Sequence, residues 1–443
     1  MTAMAETTPV RPDVEAVRAI VGEHFRHLWT AVDLALATCA TLLLAENTNP
    51  TAVILVGGPS TGKTTVATMF EGVMVCMKAD GPLIPLCERS DKFTPASFVS
   101  QAANLTAQQL AGVDLMPKIK DKVLLTPELA PIFRGDDDTL TSTFSTVTRV
   151  LDGQGLITHS GTHGRRGSSE PHLFAWIGCT TPLPERAWRI MGQLGSRLFF
   201  LLLETSAGVE KVEDLLKIGT GIPYSARLKA CKAAVGEFLR ALFEEHKGIR
   251  SVSWDASRDE EDARRWLTRC AMVLAAMRSV PVQERDESKR VYRPGDQEAP
   301  YRALAVLTNV SRGRALVHGR HGVTMDDVPL IVRVALSSMP SEPGALLRAA
   351  ISSKTGSLTV GDVKAVLGTK SAETARDRMR YMDALRVMEF HEEGTGKAAT
   401  LRFRPDWEWC ASPEFRTLLD GEERDTATIS ADLDGANDTA CHS

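Results

Sequence analysis

Apolar positions recur at helical spacing near the start of the chain, with Val14, Val17, Ile20, Val21, Phe25 and Leu28 on one face. An Ala/Leu-rich continuation carries this helix to Leu44, where Asn47, Asn49 and Pro50 stop it. The period then changes. Residues 52–56 are a β-branched run that reads as a buried strand, followed at once by a glycine-rich loop and a helix opening over 64–69. From about 75 to 205, short apolar runs alternate with helical stretches, the order of an α/β domain with a largely parallel sheet. Its later strands are predicted at 122–125, 173–179 and 198–203, with a helix over 140–151. From about 210 to 340 the period is only helical, at 225–245, 258–277 and 301–318, and the charged segment 283–298 reads as a loop. A third unit follows, with helices at 344–350, 359–367 under a Thr359 cap, and 371–386, then two strands at 387–391 and 399–403 about a Gly394/Gly396 turn. Three helices and then a β-hairpin is the order that a winged helix requires. Residues 1–11 are expected to fray, and the acidic stretch 420–443 to be disordered.

Composition narrows the class without naming it. At 443 residues the chain has room for two to four domains, and 43% hydrophobic with 24% charged residues is ordinary for a globular protein. A formal charge of −4 argues against coating nucleic acid by bulk electrostatics, and leaves a local basic groove open. No apolar run is long enough to span a membrane, and the opening Met-Thr-Ala-Met-Ala-Glu lacks the pattern of a secretory signal. Eight cysteines stand at 39, 76, 87, 179, 231, 270, 410 and 441, with no Cys-x-x-Cys pair and no zinc spacing. Reduced thiols in the cytoplasm are the expectation.

The strongest chemical signal is Gly57-Gly58-Pro59-Ser60-Thr61-Gly62-Lys63-Thr64, with Thr65 next. Glycines let successive backbone N–H groups point at phosphate oxygens. Lys63 brings a mobile positive charge to the β and γ phosphates, and Thr64 offers a hydroxyl to Mg²⁺. Such a pattern arises by chance about 0.02 times in a chain of this size. ATP and Mg²⁺ are the implied ligands. A P-loop enzyme also needs a carboxylate at the end of a neighbouring strand, and 122–128 supplies Glu128 as the base. Pro127 stands where an aspartate for the metal is usual, and the triplet Asp136, Asp137 and Asp138 compensates only if the chain folds back.

The order that follows is a helix, Asp152-Gly153, the stretch Gly161-Thr-His-Gly-Arg-Arg-Gly167, a strand ending in Thr180-Thr181-Pro182, and Gly195-Ser-Arg-Leu-Phe-Phe200. Over about 45–340 this resembles the AAA+ ATPases, most closely the clade containing the minichromosome maintenance helicases. The resemblance implies an α/β P-loop core at 46–208 behind an N-terminal helical segment at 1–45. An all-helical lid at 209–340, a winged-helix-like domain at 341–410 and the acidic tail at 411–443 complete the expected organisation. It further implies that Thr181, with Thr180 close behind, senses the γ-phosphate. Arg197 then acts as a finger toward a neighbouring subunit's ATP, in a ring oligomer that is a hexamer. Arg302 falls at the second sensor position of the lid, with Arg312 as runner-up.

Two features point to DNA. The stretch 159–168 carries Arg165 and Arg166 among glycines and His163, where the resembled clade has a hairpin that grips DNA. The helix 371–386 carries Arg376 and Arg380 one turn apart, with Lys370 at its start, Arg378 nearby and Lys397 in the hairpin beyond. Against these stand Glu373, Asp377, Glu392 and Glu393. Three readings stay open. One is an ATP-hydrolysing ring that translocates on or remodels DNA, a helicase-like motor. Another is an ATP-dependent assembly switch that recruits a protein partner. The last is a remodeller of protein complexes.

Overall fold

A computed structural model of the chain describes residues 13–100, 102, 105–161, 164–195, 197–203, 221–286, 289–392 and 399–419. Residues 1–11, His163, Lys397, the Gly394/Gly396 turn and 420–443 lie outside the described residues; the expected tail at 411–443 is corrected at its start, where 413–419 are helical and Phe415 is buried against Trp266. The chain divides into two compact units, each assembled from three separate segments. One is 1–184, 196–260 and 308–324; the other is 185–195, 261–307 and 325–443.

The first unit is α/β, built on a five-stranded parallel sheet. Its strands are β1 (Thr51–Val56), β4 (Cys87–Arg89), β5 (Val123–Thr126), β8 (Ala175–Thr180) and β9 (Leu198–Leu202), in the order β4-β5-β8-β1-β9. Three two-stranded antiparallel pairs stand apart from this sheet: in the first unit β2 (Met74–Cys76) with β3 (Leu83–Pro85) and β6 (Leu156–Ser160) with β7 (Gly164–Ser168), and in the second β10 (Val282–Asp286) with β11 (Lys289–Arg293). Every residue of β1, β5 and β8 is buried, which is why these strands read as continuous apolar runs and not as alternating ones. Packing is tight at Gly178 of β8, where an added Cβ would come within 2.3 Å of Leu129 and 2.7 Å of Ile54.

The expected first helix is two. Helix Val14–Phe25 breaks at Phe25, whose φ of −148° and ψ of 55° leave the helical region, and a short 3₁₀ turn leads into helix Trp29–Ala40. The break lets Phe25 and Leu28 both point inward, and Leu28 lies against Gly62 of the glycine loop. Asn47 does stop this region. It is buried, and its side chain donates to Thr41 O at 3.1 Å. The acidic triplet has a local role: Asp136 caps helix Asp137–Val150 by accepting from Thr139 N at 2.8 Å, and Asp137 and Asp138 occupy the first turn.

Asp33 is a buried carboxylate on helix Trp29–Ala40, with 1% of its surface exposed, and it accepts from Arg314 Nε at 2.8 Å and pairs with His318 Nε2 at 3.0 Å. Burial alone would raise its pKa; Arg314 and His318 outweigh that and hold it below the ordinary value. A carboxyl depressed in the folded state stabilises the fold above its unfolded pKa, and the contribution is lost as pH falls through the folded one. Replacing Asp33 with asparagine strands a buried guanidinium, so urea denaturation at pH 7 should show a loss of about 3 kcal/mol. The gap between variant and wild type should close below about pH 4.

In the second unit, helices Glu261–Arg278 and Val328–Ser337 pack together, and buried Arg278 donates to Ser338 O at 3.0 Å. The segment expected as a loop forms the β10–β11 hairpin. Alternation turns Tyr292 toward helix Ala372–Ala384, where its hydroxyl donates to Asp377 at 3.0 Å and its ring meets Tyr381 edge-on at 5.4 Å. The C-terminal part holds helices Ser341–Ser352, Val360–Leu367 and Ala372–Ala384 with a three-stranded antiparallel sheet. Its strands are β12 (Ser357–Thr359), β13 (Met388–His391) and β14 (Thr400–Phe403), in the order β12-β14-β13. Thr359 caps its helix in a capping box with Asp362, as expected, and β12 is a strand that the apolar pattern did not reveal. Among the described residues no helix is long and apolar enough to cross a membrane. Seven cysteines there are free thiols.

Candidate functional site

Strand β1 ends at Val56 and delivers the chain into the glycine loop between β8 and β9. Gly57 N donates to Thr180 O at 3.2 Å, and Leu203 N donates to Val56 O at 2.7 Å. The loop turns through Ser60 at φ 64° and Gly62 at φ 83°, both in the left-handed region, and helix Lys63–Met69 starts directly after it. Gly62 is required twice over: by its φ, and because a Cβ there would come within 2.6 Å of Leu28. At Gly57 a Cβ would lie 2.6 Å from Thr61 Oγ1.

Lys63 folds back over this loop. Its Nζ donates to Gly57 O at 2.8 Å, to Gly58 O at 2.5 Å and to Thr61 Oγ1 at 3.2 Å. Burial lowers the pKa of the ammonium, while Cys179 and Glu128 act in the opposite sense, so the Glu128 carboxylate lies within electrostatic reach of Lys63. Thr64 is exposed at the helix start, and Thr65 Oγ1 is hydrogen-bonded to the Tyr224 hydroxyl at 2.9 Å.

The sheet order places β8 between the loop strand and the carboxylate strand, so Glu128 sits one strand further from the loop than a neighbouring strand would put it. Cys179 spans the gap. Its carbonyl accepts from Leu129 N at 2.7 Å, and its Sγ donates to Lys63 O at 3.2 Å. Burial pushes this thiol up to about 12, which keeps it protonated and removes it as a nucleophile. Glu128 itself is exposed, with Oε1 accepting from Ala130 N at 2.8 Å. A cavity of about 200 Å³ opens beside it, bounded by Lys92, Phe93, Leu129 and Arg134 among others. Pro127 is buried, and Thr126 Oγ1 is taken by the Trp176 indole at 2.8 Å, so the end of β5 presents Glu128 alone.

At the end of β8 the two threonines differ. Thr180 Oγ1 is buried with no hydrogen-bond partner among the described residues, whereas Thr181 is half-exposed. A buried hydroxyl without a partner is costly in a finished fold, which raises Thr180 as the group awaiting a ligand or water. For a metal, the candidate donors are the Thr64 hydroxyl and the Glu128 carboxylate; Asp91, which lines the cavity beside Glu128, is paired with Arg89 at 2.8 Å. Among the described residues no group of three or more His, Cys, Asp or Glu side chains is arranged to hold a metal ion. That set fits Mg²⁺ carried in with phosphate oxygens and water, since Mg²⁺ is commonly held by only one or two protein groups in such sites.

A comparison with protein-family models and with curated proteins finds no match.

The arginines separate into distinct environments. Arg197 is mostly buried and its Nε pairs with Asp152 at 3.2 Å within the same chain. Arg312 pairs with Asp259 at 3.7 Å and lies over the Trp254 ring, which makes it a packing residue. Arg302 lies half-buried in the second unit, in the first turn of helix Tyr301–Val317.

The expectation that both hairpin arginines are available to phosphate is corrected. Strands β6 and β7 do form an antiparallel hairpin, and neighbouring residues on a strand face opposite ways. Arg165 is exposed. Arg166 turns inward to pair with Asp114 at 2.6 Å and to donate to Ser100 O, with 9% of its side chain exposed. The same correction applies to Arg376 and Arg380, whose positive charge is met within the fold. Arg376 pairs with Glu392 at 3.3 Å, Arg380 with Glu373 at 3.1 Å, and their neighbour Arg378 with Glu342 at 2.9 Å. Lys370 is exposed.

Proposed function

We propose that the loop Gly57–Thr64 binds the triphosphate of ATP together with Mg²⁺, and that the chain is an ATP hydrolase of the AAA+ type working as a ring oligomer. The observation that carries this reading is the position of Lys63, an ammonium held by two loop carbonyls and a loop hydroxyl, with Glu128 acting on its charge. Phosphate oxygens replace those acceptors with charge-assisted bonds, which are stronger. Loop N–H groups and the helix start receive the remaining phosphate charge. Mg²⁺, when bound through Thr64 and the phosphates, offsets charge on the β and γ oxygens. Glu128 takes the proton of the attacking water through the carboxylate oxygen left free by Ala130. Thr180 and Thr181 orient that water or the γ-phosphate. Arg197 exchanges Asp152 for a neighbouring subunit's γ-phosphate.

The work is done on DNA through the β6–β7 hairpin, with Arg165 as the phosphate contact and a winged-helix domain at 341–410 as a second contact through Lys370. ATP turnover with and without single- and double-stranded DNA tests this. Arg165→Ala should abolish DNA stimulation while leaving thermal stability within about 0.5 kcal/mol. Arg166→Ala leaves Asp114 buried without its partner and should cost about 3 kcal/mol of stability in the absence of any DNA. Stimulation by DNA that survives Arg165→Ala removes the hairpin from the mechanism.

Specific observations favour a second reading, an ATP-dependent assembly switch that acts on a protein partner. The strand end carries Pro127 where a metal aspartate is usual, and all three arginines 376, 378 and 380 are paired with acids. In that reading nucleotide occupancy sets assembly, turnover is slow, and the C-terminal helices recruit protein.

A further inference from the structure

Tyr224 has half of its surface in solvent, yet it is fixed against the glycine-loop helix. Its hydroxyl is hydrogen-bonded to Thr65, and its ring meets Phe25 edge-on with centroids 5.7 Å apart and planes at 75°. Phe25 in turn carries the Arg227 guanidinium 5.1 Å above its ring, and Arg227 donates to His24 O at 3.3 Å. Leu28 closes the same wall against Gly62. Three stretches far apart in sequence thus meet beside the residue that follows Thr64: the break between the first two helices, the loop helix, and the start of helix Tyr224–Glu245.

Resting on the reading of the loop as an ATP site, this wall has a specific use. Lys63 and Thr64 serve the β and γ phosphates and the metal, so the nucleoside leaves from the other end of the phosphate chain. We propose that Tyr224 is the nucleobase platform of this site, its ring stacking on the base and Phe25 backing its edge. A tyrosine suits the task because it offers a large flat face for only two side-chain torsions. Here the Thr65 and Phe25 contacts already restrict both, so little ordering remains to oppose binding.

The experiment is calorimetric binding of ATP and of inorganic tripolyphosphate to the full chain, to Tyr224→Ala, to Tyr224→Phe and to Lys63→Ala. Tyr224→Ala should weaken ATP about tenfold, as removal of one stacking ring does, and leave tripolyphosphate unchanged. Tyr224→Phe keeps the stack and should bind ATP within about twofold of wild type. Equal losses of ATP and tripolyphosphate in Tyr224→Ala would mean that the residue only supports the loop, and would overturn the proposal. No loss of either, while Lys63→Ala loses both, overturns it and leaves the phosphate site standing. Wild-type protein that binds neither ligand removes the phosphate site and the platform together.

Discussion

Glu128→Gln should lower ATP turnover about a thousandfold, the scale of a lost general base, while ATP affinity stays near wild type. The substitution keeps the side chain's size and its bond from Ala130 N, and removes only the proton-accepting charge. Its effect is large because the end of β5 offers no second carboxylate: Pro127 precedes Glu128, and Thr126 is occupied by Trp176. Asp136, the nearest acid downstream that sequence reasoning raised, caps its helix. Single-turnover hydrolysis measured beside equilibrium binding separates chemistry from affinity. Unchanged turnover in Glu128→Gln would exclude it as the base. No turnover in wild type or variant, with nucleotide-dependent assembly intact in both, would select the switch.

Lys63→Ala acts one step earlier. Losing the one cation that the loop directs at the β and γ phosphates should weaken ATP about a hundredfold, the scale of charged hydrogen bonds removed from a partly enclosed site. The unliganded protein should hardly notice. Lys63 is half-exposed, and the carbonyls of Gly57 and Gly58 that it leaves face a site open to water. Equilibrium binding and a thermal melt without nucleotide test the two halves of this expectation. Full ATP affinity in Lys63→Ala would sink the assignment of the loop. A large loss of stability without ligand would make Lys63 structural.

The parallel sheet was legible where burial is complete. Strands β1, β5, β8 and β9 are unbroken apolar runs because helices or loops cover both faces, and a composition of that kind has few other uses. The glycine loop was legible because its chemistry dictates residue types at fixed spacing. Strand β4 was not, since Cys-Glu-Arg over three residues carries no pattern, and its place at the sheet edge is a long-range fact. The β10–β11 hairpin was hidden by its charge, because Val282 with Glu284 and Arg290 with Tyr292 each put unlike residues on one face and leave no apolar alternation to read. The helix break at Phe25 is invisible to periodicity because the apolar spacing runs on through Leu28.

Charged side chains misled for a different reason. Arg165 and Arg166 look alike as neighbours, and only the strand that carries them sends one to solvent and one to Asp114. Glu392, the partner of Arg376, lies 16 residues away across a strand, beyond the reach of local pattern. The resemblance put Thr181 first with Thr180 close behind, yet of the two it is the Thr180 hydroxyl that lacks a partner among the described residues. Nothing local marks Tyr224; its contacts with Thr65 and Phe25 exist only in the fold.

The self-bonded lysine of the glycine loop also bears on which anions can compete for it. On the proposed ATP reading, entry is an exchange: three contacts to Gly57, Gly58 and Thr61 are given up for contacts to phosphate. A lone sulfate or orthophosphate meets Lys63 and the loop's N–H groups with four oxygens only. A chain of phosphates offers more to both. On that reading, the loop favours a chain of phosphates over a single tetrahedral anion.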